Sequence, residues 1–316
     1  IGHSPVELAA YQRARRNGKL HARAQLMPAI DVLHGLQGHP DDQTGLGLDL
    51  GISTGFGDGY VSLGPAKVFL DGSLFGETAA LTEDYCGHAH GNKGYFQADP
   101  ELMRQRILAA YSSGWSIAAH AIGDRAVDLA IDILTECQDT YGTPVMPNRI
   151  EHCSVTRPDQ LPRLRSAGIA VTPQAGFFGP MGDQMTSSLG AARAAWSYRA
   201  ASFLEAGILL AGSSDRPVAD GNVLRCMQAF VDRRTSSGRV FGDPAERISA
   251  RQALAAYTVN AARATGSFAD KGSLAAGKLA DFAVLAASPL AVPGAEISGI
   301  KVLATMVGGA FTHNEL

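Results

Sequence analysis

Cysteine is scarce in this sequence and never paired. Cys86, Cys137, Cys153 and Cys226 stand far apart with no CxxC, which argues against a thiolate zinc knuckle or a small disulfide framework and fits reduced thiols in a cytoplasm. An excess of positive charge is missing too. The 27 Lys and Arg against 30 Asp and Glu leave a net charge of −3, and the basic residues are scattered rather than striped, so no nucleic-acid partner is expected. No apolar run reaches membrane length and no basic start with an apolar centre opens the chain, so no membrane span and no signal peptide are expected. Position 1 lacks methionine: Ile1 leads at once into the helix-like PVELAAYQRARRNGKL, and we expect the chain to begin inside a larger protein. Internal repeats and low-complexity tails are also lacking.

What is present is size and pattern. A chain of 316 residues holds core enough for one large α/β barrel or two ordinary domains. Short apolar runs alternate with longer amphipathic ones, the mark of βα units and a parallel sheet. The strand candidates are LHARAQLM (20–27), AKVFL (66–70), WSIAAH (115–120), NRIEHC (148–153), GIAVTPQ (168–174) and GILLAG (207–212). Helix starts are read at Asp99-Pro100, at Asp124, and at Thr156 with Pro158, where a capping oxygen or a first-turn proline deals with unpaired backbone N–H groups. From Gly272 the texture changes to short β-like pieces, GSLAAGKLADFAVLAASPL and IKVLATMVGGAFTH. The expected fold is therefore α/β, a (β/α)8 TIM-type barrel with about six βα units in this chain, over residues 1–268. Residues 269–316 read as a small second β domain or its remnant, which the resemblance given below makes part of a β-sandwich. The Gly- and Asp-rich stretch 38–62 reads as a long loop over an active site.

In such a barrel the catalytic groups come from the carboxyl ends of the strands. Those ends carry Lys67 and Asp71, His120, Glu151 and His152, Thr172 and Gln174, and Ser213-Ser214-Asp215. Nitrogen and oxygen donors of this kind suit Zn²⁺ or a similar divalent ion with one position left for water. Each has a plainer reading: Lys67 neutralising an aspartate, the histidines as satisfied core groups, Asp215 as a cap or partner of Arg216. Strand alternation sets Glu151 on the side opposite His152, in a structural role. Asp124 reads as a helix cap and Arg125 as a solvated first-turn residue. A second His-x-His, His88 and His90, lies among Gly, Asn and Lys with no strand to hold it, and reads as an exposed polar loop.

The segments KVFLDGSLFGETAAL, HAIGDRAVDLAID, RIEHCSVTRPDQLPRL, GSSDRPV and GSLAAGKLADFAVL together resemble the amidohydrolase superfamily, in particular amidohydrolase family 3, in the family's order from about residue 20 to the end. The resemblance implies a metal centre in which Lys67, often carboxylated in the family, His120, His152 and Asp215 are four ligands, with one or two divalent ions, zinc foremost. The family's first-strand His-x-His pair has no counterpart, and that strand, the second strand and part of the β-sandwich would precede Ile1. It also implies hydrolysis of a C–N bond other than a peptide bond, in an amide-like or N-acyl small molecule, with Asp215 moving the proton. Loops 38–62 and 71–98 and the segment 177–196, with Phe177, Phe178, Met181 and Met185 as an apolar wall or as packing beneath a loop, are the expected substrate-facing parts. The alternative is a catalytically incompetent C-terminal portion or scaffold. A barrel short of two strands has exposed edges, which a separate chain or a second copy, in a homo-oligomer, would cover.

Overall fold

The computed structural model describes residue 2, residues 4–36 and residues 45–316. Residues 38–44 of the expected active-site loop lie outside the described residues.

In chain order the elements are α1 (Pro5–Arg16), β1 (Ala24–Leu26), β2 (His34–Gly35), β3 (Leu46–Gly47), β4 (Val61–Leu63), β5 (Ala66–Phe69), α2 (Pro100–Ser112), β6 (Ile117–Ala121) and α3 (Asp124–Tyr141). Then follow β7 (Arg149–His152), α4 (Gln160–Ser166), β8 (Ala170–Thr172), α5 (Phe178–Ala194), α6 (Ala200–Glu205), α7 (Val223–Asp232), α8 (Ala250–Tyr257), α9 (Val259–Ala264), β9 (Phe282–Leu285), β10 (Val302–Val307) and β11 (Ala310–Asn314). The result is a mixed α/β fold. Its centre is a parallel sheet in the order β5-β6-β7-β8, extended by single parallel bridges from Ala29 to Lys67 on one side and from Val171 to Leu210 on the other.

Register explains what this sheet carries. Val68, Ala119, Ile150 and Val171 lie side by side on one face, an apolar row in the main core. Lateral partners share a face and neighbours along a strand alternate. The other face therefore carries the rows Lys67, Ala118, Arg149, Ala170 and Phe69, His120, Glu151, Thr172. Five of these eight are polar, so the face is built for a site rather than for packing alone.

Among the described residues the central parallel sheet is open. Other expectations need correction: GILLAG contributes a bridge at Leu210 rather than a strand. Its partner segment is too short to lay a full ladder. The 177–196 segment is largely the helix α5, with Phe177, Phe178 and Met185 buried, so these side chains pack as core beneath the surface. Stretch 45–62 holds β3 and the start of β4. By contrast 71–98 has no regular element and is the long loop expected. Asp99 accepts from the N–H groups of Glu101 and Leu102, as its cap position implies. Thr156 caps nothing: its hydroxyl donates to the Cys153 carbonyl at 2.9 Å, and α4 starts later. The C-terminal pieces form one three-stranded antiparallel sheet, β11-β10-β9.

Candidate metal centre

The β5 strand delivers Lys67 to the polar face, 4% exposed. Its ammonium lies 4.9 Å from the Phe69 ring centre. Burial lowers its pKa to about 8 and Arg149 pushes the same way, against the pull of Glu151 and Asp215. A lysine in this state has a substantial neutral fraction near neutrality, the form needed to act as a nucleophile towards CO₂ or as a donor.

On β6 the run WSIAAH is buried because Ile117, Ala118 and Ala119 sit inside the sheet, and His120 comes where the strand reaches the rim. Its Nε2 is 2.8 Å from the Gly72 carbonyl and 3.4 Å from Asp71 Oδ1. The next turn is shaped by Gly123, where a Cβ would stand 2.0 Å from the Ala80 carbonyl oxygen; only glycine lets the 71–98 loop dock so closely. Asp71, fully buried, accepts the N–H groups of Ala80, Ile122 and Gly123 at 2.8–3.0 Å and so ties β5, that loop and the end of β6 together. Burial raises its pKa to about 7, against those three donors.

Asp124 is not a cap. Gly123 occupies that position, and the Asp124 carboxylate accepts from Thr82 and from Arg157 at 3.0 Å. Nor is Arg125 solvated: it is half-buried with its guanidinium 4.8 Å from the Phe96 ring centre.

His152 ends β7. Alternation alone would turn it away from His120, since its lateral partner is Ala121. Positive φ angles at His152 (70°) and Cys153 (45°) break the alternation, a strained arrangement for non-glycine residues that clusters at functional sites. The ring comes back over the polar face, 4.6 Å from that of His120, at 70°. Its Nδ1 is buried with no hydrogen-bond partner. Burial pulls His120 down to about 4 and holds His152 well below the usual imidazole range, with Lys67 adding to both. Both rings are therefore neutral, with lone pairs free to donate.

Glu151 is the residue whose placement alternation misassigned. It faces the same side as Lys67 and His120, because His152 is the one that breaks step. It takes Arg149 Nε at 2.6 Å and the Thr172 hydroxyl. Burial would raise its pKa, but Arg149 and Lys67 outweigh that and hold it near 2. This buried Arg149–Glu151 pair lies beside the candidate ligands, and the R-x-E spacing in RIEH was the only sign of it in the sequence.

Asp215 lies after the Leu210 bridge, half-buried, with φ 53°. Burial raises its pKa while Lys67 lowers it, so the two groups are within electrostatic reach. The structure thus brings His120 and His152 into ring contact with Phe69 and Lys67 beside them, and Asp215 is within electrostatic reach of Lys67. Among the described residues no three His, Cys, Asp or Glu side chains already converge on an ion position. The donor set still fits a divalent ion: two neutral imidazoles, one with an unpartnered buried nitrogen, plus a lysine of lowered pKa and a carboxylate. His88 pairs with Glu77 at 2.5 Å in an exposed loop, in line with its plain reading.

The fold and this rim define a mixed α/β protein whose polar side chains gather at the carboxyl ends of parallel strands. The chain belongs to the amidohydrolase family, whose pattern matches residues 1–313. It is 36% identical over 204 residues to Protein LONG AFTER FAR-RED 3 of Arabidopsis thaliana, covering 64% of this chain and 35% of that protein. It is 26% identical over 251 residues to the N-substituted formamide deformylase of Arthrobacter pascens, covering 79% and 45%. An uncharacterized metal-dependent hydrolase of Pyrococcus horikoshii OT3 superposes with a TM-score of 0.72 at 26% identity, over 91% of this chain and 55% of that one. The chain thus spans roughly a third to a half of these curated relatives. Among the described residues no helix is long and apolar enough to cross a membrane.

Proposed function

We propose that this chain carries part of a (β/α)8 metal-dependent hydrolase site that cleaves a C–N bond in an amide-like or N-acyl small molecule. The observation that carries the reading is the pair of neutral imidazoles, His120 and His152, in ring contact beside Lys67, with His152 Nδ1 left without a partner. Lys67, His120, His152 and Asp215 would hold one or two divalent ions, with zinc the first choice. When bound, such an ion lowers the pKa of a water and polarises the scissile carbonyl. The chain's own residues do the rest. Lys67, neutral in part, would add CO₂ through its amine with loss of one N–H proton to solvent, which makes it a carbamate anion in place of a cation. Asp215 accepts the proton of the attacking water and returns it to the departing nitrogen. Arg149 Nε pairs with Glu151 beside the candidate ligands, and Asp71 locks the turn after His120. The deformylase relative supports an N-substituted formamide or a near analogue as the substrate class.

The test is amine release from a panel of N-substituted formamides and N-acyl amines by the native full-length protein, with zinc and after chelation. Turnover should need the metal and should be lost in Asp215→Asn. Amine release that survives both chelation and Asp215→Asn would refute the assignment, as would no release from any member of the panel.

A further inference from the structure

Two unusual contacts meet behind Asp215. At Gly212, on the approach to Ser213-Ser214-Asp215, a Cβ would lie 2.4 to 2.6 Å from three ring carbons of Tyr257. The ring is therefore stacked flat on the backbone, a distance no other residue at 212 would tolerate. The Tyr257 hydroxyl donates to the Ser213 carbonyl at 3.3 Å, and Gly212 N–H donates to the carbonyl of the preceding residue, Ala256, at 2.9 Å. Three contacts from one end of α8 thus grip two consecutive residues of the strand-end segment.

The local sequence puts the ring there. α8 stops at Tyr257 because Thr258 leaves helical geometry (φ −126°, ψ −92°), and the Thr258 hydroxyl donates back to the Leu254 carbonyl. This break leaves Tyr257 at the last turn, supported on its other side by Phe230 at 6.3 Å between ring centres. From Gly212 the chain has three residues to reach Asp215, whose own backbone is left-handed and whose N–H is held by Ser213 Oγ at 3.3 Å. A backbone in that region is kept only where its surroundings fix it. From 212 to 220 the residues are exposed or half-buried, and besides the Tyr257 contacts the stretch is tied by Ser213 N–H to the Pro173 carbonyl at 3.2 Å and by Val218 N–H to the Asp215 carbonyl at 2.9 Å.

We propose that Tyr257 is a positioning residue: its ring and hydroxyl fix the Gly212–Ser213 backbone and thereby the direction in which Asp215 is presented to the rim. This rests on the role given to Asp215 above. A misplacement of about 1 Å in such a group costs up to roughly 100-fold in rate.

The experiment uses the native full-length protein and the variants Tyr257→Phe, which keeps the ring and loses the hydroxyl, and Tyr257→Leu, which loses both. Amide hydrogen exchange is followed by mass spectrometry, with kcat and KM on the formamide turned over fastest. The expected result is exchange in 212–218 accelerated about fivefold in Tyr257→Phe and further in Tyr257→Leu, with β6 and β7 unchanged, kcat down roughly tenfold and 100-fold, and KM within about twofold. Exchange in 212–218 equal to that of the unsubstituted protein, acceleration spread evenly over the sheet, or kcat unchanged in Tyr257→Phe each overturns the inference. Asp215→Asn keeps the two readings apart. If that variant is inactive while Tyr257→Phe behaves as unsubstituted protein, only the positioning role falls; if Asp215→Asn is fully active, the role of Asp215 falls and the positioning role with it.

Discussion

His120 and His152 lie on adjacent strands in positions that alternation assigns to opposite faces of the sheet, yet their rings stand 4.6 Å apart. The left-handed backbone at His152 and Cys153 makes this meeting. Two buried neutral imidazoles in contact gain nothing electrostatically from each other, and an unpartnered ring nitrogen in a dry environment is costly. An ion between or beside them would repay both.

Metal content follows directly. The native full-length protein should contain at least one divalent ion per chain by plasma mass spectrometry. His152→Ala should lower the ion's affinity by 10-fold or more, as removal of an inner ligand does at least as strongly as removal of its supporting partner. Full retention of metal by His152→Ala would contradict the site.

The same two rings set a pH dependence in the metal-free protein. His120 falls to about 4 in the fold and His152 also lies below the ordinary imidazole value of 6.5. A depressed histidine contributes stability that is complete above pH 6.5 and is lost as pH falls towards 4, because the unfolded chain takes up the protons first. Asp71, raised to about 7, works the other way, losing its contribution as pH rises from its unfolded value to 7. The readout is therefore a difference: between pH 5 and 7 the urea midpoint of His120→Asn should climb less steeply than that of unsubstituted protein. Parallel slopes would show that His120 is not held neutral.

Asp71 offers a test of the scaffold rather than the chemistry. Among the described residues its carboxylate is the acceptor for the N–H groups of Ala80, Ile122 and Gly123. Asp71→Ala orphans three buried donors, each worth about 1 kcal/mol or more, so unfolding in urea should show a loss of about 3 kcal/mol. Asp71→Asn retains an oxygen acceptor and should lose less; equal losses in the two variants would mean that packing, not the amide bonds, holds the turn.

Much of the fold and part of the site could be read from residues alone, and the limits have physical causes. AKVFL, WSIAAH and NRIEHC read correctly as strands because they are short, mostly buried runs bounded by turn residues. The helix at Pro100 was announced by Asp99. GILLAG misled because an apolar run does not tell how far its pairing will extend, and here the pairing with β8 is a single bridge at Leu210. The segment 177–196 was expected to face substrate, with its apolar side chains as a wall or as packing beneath a loop; Phe178, Met185 and Leu189 are buried along the helix α5. Lys67 and His120 were read as carried by strands, and β5 and β6 carry them, whereas Asp215 follows a single bridge at Leu210 rather than a strand. The facing of Glu151 was missed because alternation describes only ideal strands, and two residues with positive φ lie outside that description.

Glu151 gives the last test, since its new placement makes a specific energetic claim. Arg149 is buried at 7% exposure, and its Nε is paired with Glu151 at 2.6 Å. The remaining nitrogens find only Met27 Sδ and a distant Ala264 carbonyl at 3.5 Å. Glu151→Leu removes the one counter-charge on the guanidinium and leaves a buried cation beside Lys67, which costs about 3–5 kcal/mol when a buried pair is broken from one side. Removing both charges, in Glu151→Leu with Arg149→Met, leaves two apolar side chains of similar size, and such replacements are often neutral. Urea unfolding should therefore show the double variant more stable than Glu151→Leu alone, by about 2 kcal/mol or more. If the single variant is as stable as the double, Arg149 finds its compensation elsewhere, and Glu151 faces the site for another reason than to neutralise it.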